Sequence, residues 1–165
     1  MIFALAFLLL VGLDQALKLY SAKNWRTDEG VILIPGIIKL KYLYPENRGM
    51  AFGMLQNQMF FLAALSLLIL LYLLWIYFRT PDHPRYRPLR VALVFLASGA
   101  FGNFIDRCFR HYVIDFIQFI FFDFPVFNLA DSYVVIGSIW FLILVLFKYR
   151  NPDELEFLLP GRLGR

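Results

Sequence analysis

Asp14 and Lys18, Asn103, Asp106 and Arg107, Asp115, and Asn128 and Asp131 stand inside or beside long apolar stretches of this chain. A charged residue in such a setting costs about 2.5–3.5 kcal/mol on membrane-insertion scales, so several together point to a shared polar site. Metal-assisted hydrolysis would want histidines or a dense carboxylate set. No HExxH is present, and His83 and His111 are too far apart in the chain's layout to form a ligand pair. Serine catalysis would want a base. Ser132 adjoins Asp131, but the histidine on that side is His111, and a serine–lysine pair would need Lys18 near Ser98 or Ser132. Two carboxylates without a nucleophile leave the aspartic mechanism. One ionised Asp takes a proton from water, and a protonated one polarises the carbonyl under attack. Close carboxylates share a proton because both cannot ionise cheaply, and a low-dielectric site reinforces this.

The elements that must carry these groups follow from composition. Of 165 residues, 61% are hydrophobic and 17% charged, where a soluble domain is about half apolar and about a quarter charged. The mean hydropathy is +0.66. So much apolar surface exceeds what a core of this size can hide, and the bilayer becomes part of the solvent. Stretches 1–13, 49–78, 91–105 and 132–147 carry no charged side chain. A span needs about 20 mainly apolar residues, because about 30 Å of hydrocarbon is crossed at about 1.5 Å per residue. The gaps predict an all-α integral membrane protein, one domain over 1–165, with helices near 2–20, 58–78, 89–108 and 127–147. The first, third and fourth reach that length only by taking in polar residues at one end.

Arg79, Arg85, Arg87 and Arg90 crowd the short loop after the second helix, which Pro81, Pro84 and Pro88 break. Lys148 and Arg150 follow the fourth helix. The positive-inside rule puts that loop and both termini in the cytoplasm. Lys23, Arg26, Lys39, Lys41 and Arg48 oppose this, but over a longer segment mixed with Asp28, Glu29 and Glu46. The net charge of +4 is spread over loops and gives no reason to expect a nucleic-acid partner. Cys108 is the single cysteine, which excludes an intrachain disulfide and reads as a packing residue. The N-terminus lacks a basic leader, and Asp14, Gln15 and Lys18 interrupt it, so a retained first helix is expected.

Segment 21–57 is too long for a turn. Val31 to Ile34, Pro35-Gly36 and the partial alternation from Ile38 to Tyr44 read as a hairpin in a small extracytoplasmic sheet between helices one and two. Tyr112 to Val126 reads as a second non-helical piece. The polar tail 148–165 suits the cytoplasm and is compatible with disorder.

Chain direction then gathers the polar residues. Asp14 and Lys18 close the first helix; Asn103, Asp106 and Arg107 close the third; Asn128 and Asp131 open the fourth. Asp115 lies in the link between those last two, and Asn47 and Arg48 precede the second. All fall near one membrane level, whichever way the chain is inserted. Plainer readings stand beside this. Asp14 and Lys18, four apart, fit a pair that neutralises itself. Asp106 with Arg107 fits an interfacial anchor, as does Asp123. A small transporter would spread polar groups over the full depth, and here the other halves of the helices are nearly bare. A non-enzymatic scaffold would tolerate neutral isosteres at the aspartates.

Five blocks occur in order: Asp14-Gln15-Ala16-Leu17-Lys18; Asn47-Arg48-Gly49-Met50-Ala51-Phe52-Gly53; Gly99-Ala100-Phe101-Gly102-Asn103-Phe104-Ile105-Asp106-Arg107; Val113-Ile114-Asp115-Phe116-Ile117; and Phe127-Asn128-Leu129-Ala130-Asp131-Ser132. On these the chain resembles the lipoprotein signal peptidases, or signal peptidase II, over about residues 10–147. The third block departs slightly, reading Ser98-Gly99 where the family often has two glycines. The resemblance implies catalytic aspartates at Asp115 and Asp131. It implies supporting or substrate-binding roles for Asp14, Lys18, Asn47, Gly49, Asn103, Asp106, Arg107, Asn128 and Ala130. It implies cleavage of bacterial prolipoproteins before a cysteine carrying a diacylglyceryl group, with no cofactor, no metal and no covalent intermediate. It implies the bacterial cytoplasmic (inner) membrane, with the site near the outer face. A monomer in contact with membrane lipid is expected. Arg107 is a plausible partner for a lipid phosphate or a backbone carbonyl, and the sheet a clamp for substrate.

Overall fold

The computed structural model describes residues 2–26, 30–49 and 58–158. Among them, four helices are long and apolar enough to cross a membrane. They are α1 (Ile2–Asn24), α2 (Met59–Arg79), α3 (Arg87–Phe109) and α4 (Leu129–Ile143), the last prolonged by a wider π turn, Leu144–Lys148. Each expected span is present, with ends shifted by a few residues. α1 runs four residues past position 20. α4 starts later than expected because Asn128 is its N-cap rather than part of it.

α3 is the hub. It packs against α1, α2 and α4, and half of its most apolar stretch is buried, against 17–22% in the other three. The sequence explains the difference. α3 turns Ala92, Ala97, Ser98, Gly99 and Gly102 inward, and small residues let helices approach closely where lipid supplies no hydrophobic drive to pair. A β-carbon on Gly99 would collide with the Ala130 carbonyl oxygen and the Val134 side chain of α4. Ser98, next to Gly99, is fully buried. By contrast α2 leaves Phe60, Phe61, Leu68, Leu71, Tyr72 and Phe78 exposed, as a lipid-facing helix does.

At the site end lies a three-stranded antiparallel sheet ordered β1 (Val31–Ile34), β2 (Ile38–Leu40), β3 (Ile117–Phe119). The expected hairpin is β1–β2. Gly36 takes φ +74° in its turn, a left-handed conformation that suits glycine. Two details differ from the expectation. β2 ends at Leu40 rather than Tyr44, because Tyr42 turns inward to a buried cluster with Ile114 and Phe116. The third strand comes from the link between α3 and α4, so the sheet joins two loops distant in sequence.

At the opposite end Ile76, Leu89, Ala92, Leu93, Leu144 and Tyr149 form a second core. Within the described part of the tail Pro152–Leu158 forms a 3-10 helix, and Leu155, Phe157 and Leu158 pack on that core. The tail read as polar, yet these three residues give it an apolar side. Arg85 pairs with Glu154, and the Tyr86 hydroxyl donates to the Glu154 carbonyl at 3.1 Å.

Candidate active site

The polar side chains meet in two connected layers. The deeper layer is built on Lys18, which is fully buried. Its ammonium lies 2.9 Å from Asp14 Oδ2 and 3.0 Å from Asp106 Oδ2, and donates to Asn103 Oδ1 at 3.0 Å. The three N–H donors of a lysine thus have three acceptors. Asp14 and Lys18 do neutralise each other, and Lys18 also ties α1 to α3. Asp14 Oδ1 reaches α4, accepting from the Ala130 backbone N–H at 2.9 Å. Asp106 is fully buried, not an interfacial anchor. It also pairs with Arg110 and accepts from the Ile114 N–H at 3.2 Å.

The second layer holds Asp115 and Asp131. Asp131 is the N3 residue of α4 and forms a capping box with Asn128. Asn128 Oδ1 accepts from the Asp131 N–H at 2.9 Å, and Asp131 Oδ2 accepts from the Asn128 N–H at 3.2 Å. This fixes the Asp131 rotamer and leaves Oδ1 to accept from Asn103 Nδ2 at 2.7 Å. Asp115 sits on an extended link stitched on both sides. The Val113 N–H donates to the Asn47 carbonyl, Leu43 N–H to the Asp115 carbonyl, and Phe116 N–H to the Phe127 carbonyl, each at 2.9 Å. Asn47 Nδ2 donates to Asp115 Oδ2 at 2.8 Å, and Asn128 Nδ2 to Asp115 Oδ1 at 2.7 Å.

Three asparagines therefore orient the two carboxyls, and each amide has its own orientation dictated elsewhere. Asn47 Oδ1 faces the Gly49 N–H at 3.0 Å. Asn128 Oδ1 faces the Asp131 N–H, and Asn103 Oδ1 faces Lys18, which can only donate. Each amide NH2 is left pointing at an aspartate. Burial pushes the Asp115 carboxyl up, and the charge of Asp131 adds to this. The Asn47 and Asn128 donors and the Lys18 charge pull it back, leaving it at about 7.

Both carboxyls open onto a cavity of about 960 Å³. Asn47, Asn103, Arg107, Asp115 and Asp131 give it a polar floor, and Phe119, Phe124, Phe127, Val135 and Ile136 an apolar wall. Arg107 reaches across to α2, donating to Ser66 Oγ at 3.2 Å, and lies in the field of Asp131, Asp106 and Asp115. All eleven residues singled out from the sequence fall in or directly behind this site. Gly49 and Ala130 enter through backbone N–H groups. Met50 to Gly53 of the second block lie outside the described residues. Neither of the serine routes set aside from the sequence is built: the Lys18 ammonium faces carboxylates, and Ser132 Oγ donates to the Asn128 carbonyl at 3.1 Å.

Three contributors were missed: Gln15, Ser66 and Arg110. Gln15 Nε2 donates to Asp14 Oδ2 and to the Gly102 carbonyl, both at 3.1 Å, while Arg110 Nη1 donates to Gln15 Oε1 at 2.9 Å. The one available signal was Arg110 standing four residues after Asp106 on a helix.

The chain is similar to known proteins over most of its length. A family model described as Signal peptidase (SPase) II matches residues 6–147. The lipoprotein signal peptidase of Streptococcus thermophilus is 40% identical over 149 residues, 90% of this chain and 94% of that protein. That of Streptococcus pyogenes is 41% identical over 142 residues, covering 86% and 91%. Among solved structures, a bacterial membrane enzyme determined by the in meso method at 2.3 Å superposes with a TM-score of 0.78 at 30% identity, covering 98% of this chain and 94% of the other. A second, at 1.9 Å, gives a TM-score of 0.75 at 35% identity, covering 88% and 92%.

Proposed function

The chain belongs to the signal peptidase II family, and from that premise we propose that Asp115 and Asp131 are the pair that activates water in its proteolytic reaction. The protein is a multi-pass membrane protease, a lipoprotein signal peptidase, and its substrate is a prolipoprotein. The observation that carries the two-aspartate reading is the unequal treatment of the carboxyls. Asp115 is buried and raised to about 7, so it holds a proton near neutrality. Asp131 stands in the first turn of α4, where backbone N–H groups and the helix dipole favour negative charge.

In the proposed reaction Asp131 takes a proton from water as its oxygen attacks the peptide carbonyl carbon. Asp115 gives its proton to the carbonyl oxygen. Collapse of the tetrahedral intermediate breaks the C–N bond, with the amine taking the proton held by Asp131 and Asp115 recovering its own. Asn47, Asn103 and Asn128 keep both carboxyls aimed during these transfers, which keeps reorganisation small.

The cavity suits a substrate that is part peptide and part lipid. Its polar floor would meet the peptide, and its apolar wall the diacylglyceryl group on the cysteine after the cleaved bond. Arg107 would take a carbonyl or a lipid phosphate. With the Arg79–Arg90 loop cytoplasmic, the site opens at the outer face of the bacterial inner membrane, where a lipid-anchored substrate presents this bond. The enzyme acts as a single membrane domain and as a monomer.

The test is cleavage of a diacylglyceryl-modified prolipoprotein by purified wild type, Asp115→Asn and Asp131→Asn. Cleavage by the wild type alone is expected, with both variants folded. Wild-type rates in either variant would remove that aspartate from the mechanism.

A further inference from the structure

Asn47 and Asn128 aim the Asp115 carboxyl, but the backbone that carries it is also tied to the Asp106 side chain, which is held by a residue outside the cavity. The Ile114 N–H, immediately before Asp115, donates to Asp106 Oδ2 at 3.2 Å. Asp106 Oδ1 is met by the Arg110 guanidinium. The same Nη1 donates to Gln15 Oε1 at 2.9 Å. Since the Gln15 oxygen faces Arg110, its Nε2 must face inward, where it donates to the Gly102 carbonyl, Asp14 Oδ2 and, at 3.4 Å, Asp106 Oδ1.

Arg110 is the C-cap residue of α3, and His111 after it takes φ 61°, so the chain leaves the helix sharply and returns over its end. A plain role would be a helix-end cation paired four residues back with Asp106. The geometry asks more of it. The Asp106 carboxylate accepts from four groups on three parts of the chain: Lys18 and Gln15 of α1, Arg110 at the end of α3, and the Ile114 N–H of the link. Lys18 draws on the same oxygen that receives Ile114. Arg110 balances that pull on the other oxygen and so keeps the carboxylate plane turned toward the link.

We infer that Arg110, anchored by Gln15, is a positioning residue for Asp115, acting through Asp106 and the Ile114 N–H. The inference rests on Asp115 being catalytic. Arg110 is not among the described residues that line the cavity, so its proposed effect on the reaction runs through Asp106 and the Ile114 N–H.

The experiment measures kcat and KM for Arg110→Met, Arg110→Lys and Gln15→Met on the modified prolipoprotein, per folded enzyme, with melting temperatures. A small displacement of a catalytic group is enough for a loss of about tenfold in kcat for Arg110→Met. KM should stay within about twofold, because no ground-state contact is removed. Arg110→Lys keeps the charge and should recover most of the loss. Wild-type kcat in Arg110→Met overturns the inference, and so does a raised KM at unchanged kcat. Should Arg110→Met fail to fold, Gln15→Met carries the test, since it keeps every charge while removing the anchor of Arg110 together with the Nε2 bonds to Asp14, Gly102 and Asp106. A wild-type kcat there is equally fatal. Asp115→Asn is run alongside. Cleavage by that variant would remove the reading beneath, whereas an inactive Asp115→Asn beside a fully active Arg110→Met removes Arg110 alone.

Discussion

Replacing Lys18 with methionine should cost this protein more stability than any surface ion pair could account for. The ammonium has 0% exposure and three acceptors at 2.9–3.0 Å. Asp14, Asp106, Lys18 and Arg110 together are neutral; without Lys18 the buried set carries one uncompensated negative charge. Removing one partner of a buried pair costs about 3–5 kcal/mol, because the other charge stays desolvated, whereas an exposed pair is worth about 0–1 kcal/mol. At about 2–4 °C per kcal/mol for a chain of this size, the melting temperature should fall by roughly 6–20 °C. The assay is thermal unfolding in detergent micelles, followed by circular dichroism. Asp14→Asn combined with Lys18→Met removes one charge of each sign, and this double variant should melt above Lys18→Met alone. That non-additive order separates charge balance from loss of packing. The folded fraction of Lys18→Met should also cleave slowly, because the Asn103 oxygen then keeps only the Asn128 amide of its two donors and holds Asp131 less firmly. A Lys18→Met protein melting within about 2 °C of the wild type would refute the reasoning.

Three further outcomes are expected from the site. Asp115 must be protonated to act as an acid, so kcat/KM should fall as pH rises through about 7, as a pH–rate profile would show. Folding should carry the same sign. An unfolded aspartate releases its proton near pH 4 while folded Asp115 keeps it, so stability should decline from there to about 7, by at most about 1.4 kcal/mol per pH unit, and Asp115→Asn should flatten that slope in melts. Gly102→Ala would place a β-carbon 2.6 Å from Asp14 Oδ2 and 3.2 Å from the Ala130 side chain. The three helices would have to part, for a loss of about 1–3 kcal/mol that the same melts would register.

How much of this could be read from the chain depended on whether the signal was local. The spans were legible because long runs without charge, 1–13, 49–78, 91–105 and 132–147, have one cheap environment. The depth of the site was legible because chain direction alone brings Asp14, Asp106 and Asp131 to one level. The β1–β2 hairpin was legible through Pro35-Gly36. β3 was not: its three residues lie in a phenylalanine-rich run without clean alternation, and only pairing with β2 makes them a strand. The order of the tail escaped for a similar reason, since Leu155 and Phe157 find their partners in loop and helix residues far back in the chain. Ser66 is an ordinary helix serine until Arg107 arrives from α3. The asparagines were brought to the level of the site by chain direction, and given a part in it by resemblance. Which way each amide faces could be reasoned only once Lys18 and the capping box were in view.

The deep layer also bears on how the protein is made. α1 leaves the ribosome first, carrying Asp14 and Lys18 within its apolar length, and the partners of both lie about 85 to 116 residues later. Until α3 and α4 follow, the partners at hand on α1 are each other, across a single helical turn, and Gln15 for Asp14. α1 therefore begins as a weakly committed span, one that can tilt or slide in the membrane. It becomes fixed in depth when Asn103 and Asp106 of α3 close on Lys18 and the Ala130 N–H of α4 reaches Asp14. The residues that order the site thus also complete the insertion of the first helix, and assembly of the bundle and formation of the active site become one event.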